Sequence, residues 1–379
     1  MSDAALIDRS VMVVGEGADA RGAASALSDA GYAVVAVPHP AKNGDGSARP
    51  GQRIASVQGH VGRFRVQLEG ASEATVGVGA IVLALGNRRL PTALPRPQGT
   101  LLPVLTPASW VARVHDDLAV EYRVVWARRR VIVLLDYPES TPKETAAEAL
   151  RAISDVVELA HPEVCVYYRD LQVDTHSLER LTRRTRELGV VYCRYDKLEL
   201  SFEDDHLVVS SEEGQRVGDV LVVAERIAAP AAAPELAEEL GILLGDDGLL
   251  QDVNMRYVSG SQTVRRGVYV VGRCHLDADA ETQAADLQRL LGEIVELLGR
   301  ESLPLPDEYA DVSSEECVRC LTCIRTCPHQ AVELRSTDDV TAAYVVPEAC
   351  WGCGMCVANC PVRAISLVGA EHLVKQEVV

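Results

Sequence analysis

Short apolar runs alternate with amphipathic stretches through roughly the first 300 residues, and that rhythm predicts most of the fold. Val11-Met12-Val13-Val14 is an unbroken apolar run of the kind a strand buried on both faces shows. A helical stretch follows to Ala30, with Gly31 placed as its C-cap, and Ala33 to Val37 reads as a second strand stopped by Pro38. Residues 39–52 are polar and turn-rich, hence loop. Phe64-Arg65-Val66-Gln67-Leu68 alternates as a half-buried strand, and Ala80 to Ala84 reads as another fully buried one. Residues 88–107 are rich in Pro and Leu and read as connection.

The rhythm restarts at Arg130. Val131 to Leu135 is strand, a helix runs from about Thr141 to Leu159 with its cap near Ser140, and Cys165 to Tyr168 is strand again. A helix near Ser177 to Leu188, a strand over Val190 to Cys193, a strand over Gly267 to Gly272 and a helix over Ala280 to Leu298 complete the series. Such β-α-β-α alternation predicts α/β units, each a doubly wound parallel sheet flanked by helices. The expected domains are a dinucleotide-binding-like part over 1–125, a second, inserted one over 126–225, a return to the first over 226–300, and an α+β ferredoxin-like domain over 301–379.

Charge narrows the partners. Thirty-seven basic against 55 acidic residues leave −18, and no basic run exceeds Arg128-Arg129-Arg130. Neither nucleic acid nor an anionic membrane surface is expected to bind such a chain. The opening MSDAALIDRS lacks the layout of a signal peptide, and the longest apolar run, Val76 to Leu85, is too short to span a bilayer. The expectation is a soluble, cytoplasmic protein whose thiols stay reduced.

Cysteine usage changes the picture most. Of the 11 cysteines, Cys165, Cys193 and Cys274 are scattered, and the rest crowd between Cys317 and Cys360. Crowding of this kind argues for metal rather than a disulfide framework. Cys317-x2-Cys320-x2-Cys323-x3-Cys327-Pro328 recurs 33 residues later as Cys350-x2-Cys353-x2-Cys356-x3-Cys360-Pro361, and Ala331-Val332-Glu333-Leu334 recurs as Ala364-Ile365-Ser366-Leu367. This is the spacing of bacterial two-cluster ferredoxins, in which the fourth cysteine of each run ligates the other cluster. One [4Fe–4S] cluster is therefore assigned to Cys317, Cys320, Cys323 and Cys360, and the second to Cys350, Cys353, Cys356 and Cys327. Zinc sites instead present two separated pairs of ligands. Gly352 and Gly354 would let backbone amides approach the sulfurs, and Trp351 would shield a cluster or fill core. Cys165, Cys193 and Cys274 read as inert thiols, with a functional role open for Cys274 at a strand end.

The first βα turn, Gly15-x-Gly17-x-x-Ala20, fits the dinucleotide-binding fingerprint. Glu16 and Asp19 put negative charge where a pyrophosphate would sit, and Pro38-His39 stands where a ribose-binding acid belongs. The second unit has no glycine loop after Leu135, so no NAD(P) is expected. Asp136, His275, Asp277 and Asp279 make no acid–base or metal constellation and read as solvated loop. No catalytic residue is assigned.

Together these pieces resemble the heterodisulfide reductase A subunit family. The resemblance is carried by Gly31-Tyr32, Gly62-x-Phe64-x-Val66, Val78-Gly79-Ala80-Ile81-Val82, Tyr167-Tyr168-Arg169-Asp170, Gly248-Leu249-Leu250-Gln251, Gly267-Val268-Tyr269-Val270-Val271-Gly272 and the double cysteine tail. It implies FAD, iron–sulfur clusters and electron traffic among hydrogenase-like, formate-linked, ferredoxin-like and disulfide-reducing partners within a hetero-oligomer. Several positions depart from that family. Ala20 replaces the third glycine, Pro38 the ribose glutamate, Ala84-Leu85-Gly86 the Ala-Thr-Gly strand end, and Leu276-Asp277-Ala278-Asp279 the flavin-side segment. Cysteines for an additional cluster are missing between Arg130 and Leu159. The expectation is an iron–sulfur electron-transfer subunit whose flavin site is degenerate. The alternative is an FAD-containing subunit of the electron-bifurcating type, with Gly15, Gly17, Ala20 and Gly272 around the flavin.

Overall fold

The computed structural model describes residues 7–38, 52–70, 74–95, 100–119, 126–171, 173, 175–203, 206–253, 260–300, 302–336 and 340–369. All but Gln52 of the polar loop expected over 39–52 lies outside the described residues. The chain forms two compact units. One holds Met1–Asn87, Ala229–Leu276 and Gln283–Val379; the other holds Arg88–Ala228 and Asp277–Thr282.

In the first unit the strands Val268–Val270, Ala80–Leu83, Val11–Val14 and Val34–Val37 form a parallel sheet in that order. Val11 pairs with Val34 on one side and Ala80 on the other. Both central strands are buried along their whole length, which is why their sequences show no alternation. The helix Gly17–Asp29 turns Ala20, Ala23 and Leu27 into the core beneath them. An antiparallel meander, Arg53–Gln58, Phe64–Glu69 and Ala74–Val78, carries the chain across to Ala80. Its middle strand buries Phe64, Val66 and Leu68 and exposes Arg65 and Gln67, so period-two patterning reports one covered face.

The second unit repeats the plan. Val191–Arg194, Glu163–Tyr168, Arg130–Leu134, Val220–Val223 and Val104–Leu105 make a parallel sheet in that order, again entered through a meander, Glu199–Glu203, His206–Ser211 and Gly214–Gly218. The two sheets together are the doubly wound α/β architecture of FAD/NAD(P)-binding folds. This unit opens at Arg88, well before the expected boundary at 126. Residues 88–107, read as connection, contain the strands Arg88–Leu90 and Val104–Leu105. Strands of three and two residues are too short to carry a period, and only their partners, Arg226–Ala228 and Val220–Val223, reveal them.

Of four residues read as solvated loop, Asp136, His275 and Asp279 have buried side chains, and Asp277 is exposed but engaged. Asp136 is buried, accepting from the backbone N–H of Thr141 at 2.8 Å and from those of Arg169 and Asp170 at 3.0 Å each. Asp279 is buried and accepts from the Thr282 N–H and hydroxyl and from the Thr175 hydroxyl. His275 pairs with Asp286 out of solvent. Asp277 caps the helix Lys143–Ala160, accepting from the backbone N–H of Lys143 at 2.6 Å and of Glu144 at 3.2 Å. The cap expected near Ser140 is thus supplied from more than 130 positions away, a pairing no local motif announces.

Candidate iron–sulfur centres

The 33-residue repeat is a repeat of structure. Glu308–Val312 corresponds to Thr341–Val345, Val332–Ser336 to Ile365–Gly369, and the short helix Thr322–Thr326 to Met355–Ala358. The halves interlock: Glu308–Val312 pairs antiparallel with Ile365–Gly369, and Val332–Ser336 with Thr341–Val345. The correspondence reaches single dihedrals. Arg319, Leu321 and Gln330 are left-handed at φ 57°, 61° and 52°, and their counterparts Gly352, Gly354 and Arg363 at 65°, 72° and 57°. The second half satisfies two of those positions with glycine; the first imposes them on side-chain-bearing residues, at a cost on the order of 1 kcal/mol each. Such a loop wraps its N–H groups inward. Thiol sulfurs accept from the backbone N–H four residues on, Ala331 to Cys327 at 3.4 Å and Ala364 to Cys360 at 3.3 Å, and Cys350 accepts from Gly352 at 3.4 Å.

The eight thiols fall into two sets. Cys317, Cys320, Cys323 and Cys360 border one cavity together with Val318, Leu321 and Val362. Cys327 lies within electrostatic reach of Cys353 and Cys350, and Cys356 of Cys350, Cys327 and Cys353. In each grouping three cysteines of one half lie near one cysteine of the other. Among the described residues no three His, Cys, Asp or Glu side chains converge on a single-ion site.

Burial pushes the Cys356 thiol up to about 11 and raises Cys323 and Cys327 as well. Exposed Cys320 is lowered, chiefly by a hydrogen bond from Thr322. The raised thiols, Cys323, Cys327 and Cys356, stay protonated at neutral pH until a metal displaces the protons, the usual linkage of soft-metal sites. Donor set, inward N–H groups and cavity fit a cubane cluster. Trp351 adds a further donor: its indole N–H is buried without a partner among the described residues, one position from Cys350. Its ring stacks on His329 with centroids 5.5 Å apart, and the His329 Nδ1–H donates to the Val264 carbonyl at 2.7 Å.

One comparison bears on this geometry directly. Residues 310–367 match the family of 4Fe-4S dicluster domains. The dicluster domain thus spans both halves of the repeat. The wider chain is similar to heterodisulfide reductase A subunits. It is 24% identical over 197 residues to an iron-sulfur A subunit of the CoB–CoM heterodisulfide reductase of Methanopyrus kandleri, covering 49% of this chain and 30% of that protein. It is 24% identical over 179 residues to a protein of Archaeoglobus profundus described as like the heterodisulfide reductase A subunit, covering 45% and 25%. The aligned stretches span less than a third of either relative. Among solved structures, the HOCl-induced flavoprotein disulfide reductase RclA of Escherichia coli matches at TM-score 0.44 and 13% identity over 79% of this chain and 74% of that one. Thioredoxin reductase of Lactococcus lactis matches at 0.43 and 15% over 76% and 100%.

The dinucleotide loop has a different interior from its fingerprint. Gly15, at φ 139°, lies so close to the Ala84 carbonyl that a Cβ would meet its oxygen at 2.2 Å, and Gly17 is left-handed. Ala20 is buried under the sheet. Asp19 sits in the first turn of the helix and is taken up by the far end of the chain: it accepts from the Arg273 backbone N–H at 3.1 Å and from its guanidinium at 2.7 Å. Gly272 packs directly over that carboxylate and donates its N–H to Asp286 at 2.7 Å. A carboxylate–guanidinium pair thus occupies the helix N-terminus that would otherwise attract a pyrophosphate. Cys274 is fully buried, its thiol pushed up to about 12 by burial and donating to the Leu83 and Val271 carbonyls. Cys165 and Cys193 lie 3.5 Å apart on adjacent strands, and burial pushes Cys165 to about 12. Such thiols make poor nucleophiles. Sequence reasoning missed Arg273 and Asp286; a strand-end arginine where an acidic phosphate loop needs a counter-charge is the one cue that would have pointed to the first.

Proposed function

We propose that this protein is an iron–sulfur electron-transfer subunit of a cytoplasmic, heterodisulfide-reductase-like redox complex, working without a flavin of its own. The observation that carries the reading is the interlocked repeat that gathers two sets of four cysteines. In it, Cys317, Cys320, Cys323 and Cys360 hold one [4Fe–4S] cluster, and Cys350, Cys353, Cys356 and Cys327 the other. Bound clusters supply one-electron transfer; the chain's part is to exclude water with its buried cysteines and to direct N–H groups at the sulfurs. The similarity to heterodisulfide reductase A subunits supports membership of a complex built from several different chains. Among the described residues no helix is long and apolar enough to cross a membrane.

The flavin-free reading rests on Asp19 and Arg273. An FAD pyrophosphate would have to displace that pair or add its charge to the buried Asp19 carboxylate, and the residues present do not fit it. Anaerobic purification followed by iron and flavin analysis tests both halves of the proposal. The expected result is about eight iron per chain and no flavin released by acid. Stoichiometric flavin would overturn the flavin-free reading, and zinc in place of iron would overturn the electron-transfer one.

A further inference from the structure

The two halves of the dicluster domain differ in what covers them, and the difference falls on equivalent positions. Around the second cysteine set, Trp351 and His329 stack, His329 bonds the Val264 carbonyl, and Gln330 packs against Gly241, where a Cβ would sit 1.6 Å from its amide nitrogen. At these three positions the chain's own body covers that rim, although Cys353 and Met355 stay exposed. Thirty-three residues earlier or later, the equivalents of Trp351, His329 and Gln330 are Val318, Val362 and Arg363. These are exposed, Val318 by 57% and Val362 by 42%, and both valines border the cavity of the first cysteine set directly. Leu321, 37% exposed, completes the apolar rim.

Charge breaks the symmetry in the same place. Arg319, Arg325 and Arg363 stand where the other half has Gly352, Ala358 and Gln330. All three are exposed, and none forms an ion pair with a carboxylate among the described residues. In a chain of net charge −18, three exposed guanidiniums around one apolar rim outnumber the two exposed carboxylates, Glu315 and Glu316, that precede Cys317, a local reversal of sign. Apolar centre with charged rim is the anatomy of a transient protein interface, and the charges set which partner is steered to it.

We propose that the face formed by Val318, Leu321 and Val362, ringed by Arg319, Arg325 and Arg363, is the docking surface for an acidic one-electron-transfer protein, which exchanges electrons with the cluster held by Cys317, Cys320, Cys323 and Cys360. The inference rests on the electron-transfer reading above. In each transfer the reduced cluster loses one electron and the partner's oxidised centre gains it, with no bond made or broken.

The test uses the full chain with both clusters assembled and reduced, mixed in stopped flow with oxidised plastocyanin as an acidic acceptor or oxidised cytochrome c as a basic one. One variant reverses the rim, R319E/R325E/R363E. A control reverses three exposed arginines elsewhere, R21E/R128E/R129E, and so changes net charge equally. The rim variant is expected to slow electron transfer to plastocyanin at least tenfold relative to the control, and to leave transfer to cytochrome c unslowed. Equal rates for rim variant and control would overturn the docking proposal, as would a wild-type chain that reduces cytochrome c but not plastocyanin. Iron content and the cluster EPR signal, measured on every sample, separate that outcome from failure of the electron-transfer reading: a chain with no reducible cluster sinks the latter.

Discussion

At the residue scale, the crossing of the fourth cysteines makes the sharpest prediction. Cys327 and Cys360 each follow one run and, on the proposed assignment, serve the other set; each thiol accepts from an N–H four residues ahead. Replacing Cys327 with Ser should therefore destroy the EPR signal and roughly half of the iron belonging to Cys350, Cys353 and Cys356, and leave the other cluster reducible. Replacing Cys360 should do the converse. Selective loss of the neighbouring cluster in either variant would refute the crossing. The two four-cysteine runs and their repeat were legible in the chain, because spacing is a local property. Asp19 was legible only as a problem: an uncompensated negative charge at a helix N-terminus. Its solution, Arg273, lies 254 positions away, and long-range ion pairs leave no periodicity to read.

At the element scale, buried strands and long helices announced themselves, since each carries a period or an unbroken apolar run over several residues. The strand Val104–Leu105 and the remote cap from Asp277 did not, because each exists only through a partner distant in sequence. Asp219 belongs to this class. It precedes the strand Val220–Val223 and accepts from the Arg130 backbone N–H at 2.9 Å and from its guanidinium at 2.7 Å, clamping the starts of two neighbouring strands. Burial acts to raise its pKa, but the hydrogen bonds and charge of Arg130 outweigh burial and hold it below the usual carboxylate range. A depressed carboxylate contributes stability that is complete above its unfolded-state pKa, near 4, and is lost as pH falls through the folded value. Asp219→Asn should accordingly cost about 1–2 kcal/mol between pH 5 and 8, discounted for a half-exposed Arg130, with the gap to wild type closing below about pH 4. Urea melts of both proteins across that range check it. A gap that widens on acidification would show that Asp219 is not the charged partner.

At the scale of the whole molecule, the dicluster domain is expected to depend on bound metal in a way the parallel sheets do not. Its core is mostly small residues, among them Ala310, Ala331, Ala343 and Ala349, and Cys323, Cys350 and Cys356 are part of it. A segment this short, with so little apolar bulk, is marginal on burial alone, so cluster binding and folding should be one event. The sheets have aliphatic cores of their own and contain none of the eight clustered cysteines. Around the second cysteine set Arg266 donates to the Glu348 carbonyl at 3.0 Å and His329 bonds Val264, anchors without a counterpart at the first set among the described residues. Stripping iron with chelator and oxidant should leave the far-ultraviolet spectrum largely intact. Trypsin should then cut first after Arg319 and Arg325, on the unanchored rim, and only later after Arg335. Resistance at Arg319 and Arg325 equal to that of the iron-loaded chain would mean that the domain folds without its clusters. First cuts after Arg335 would mean instead that the anchors do not protect their half, which would also remove the asymmetry on which the docking face depends.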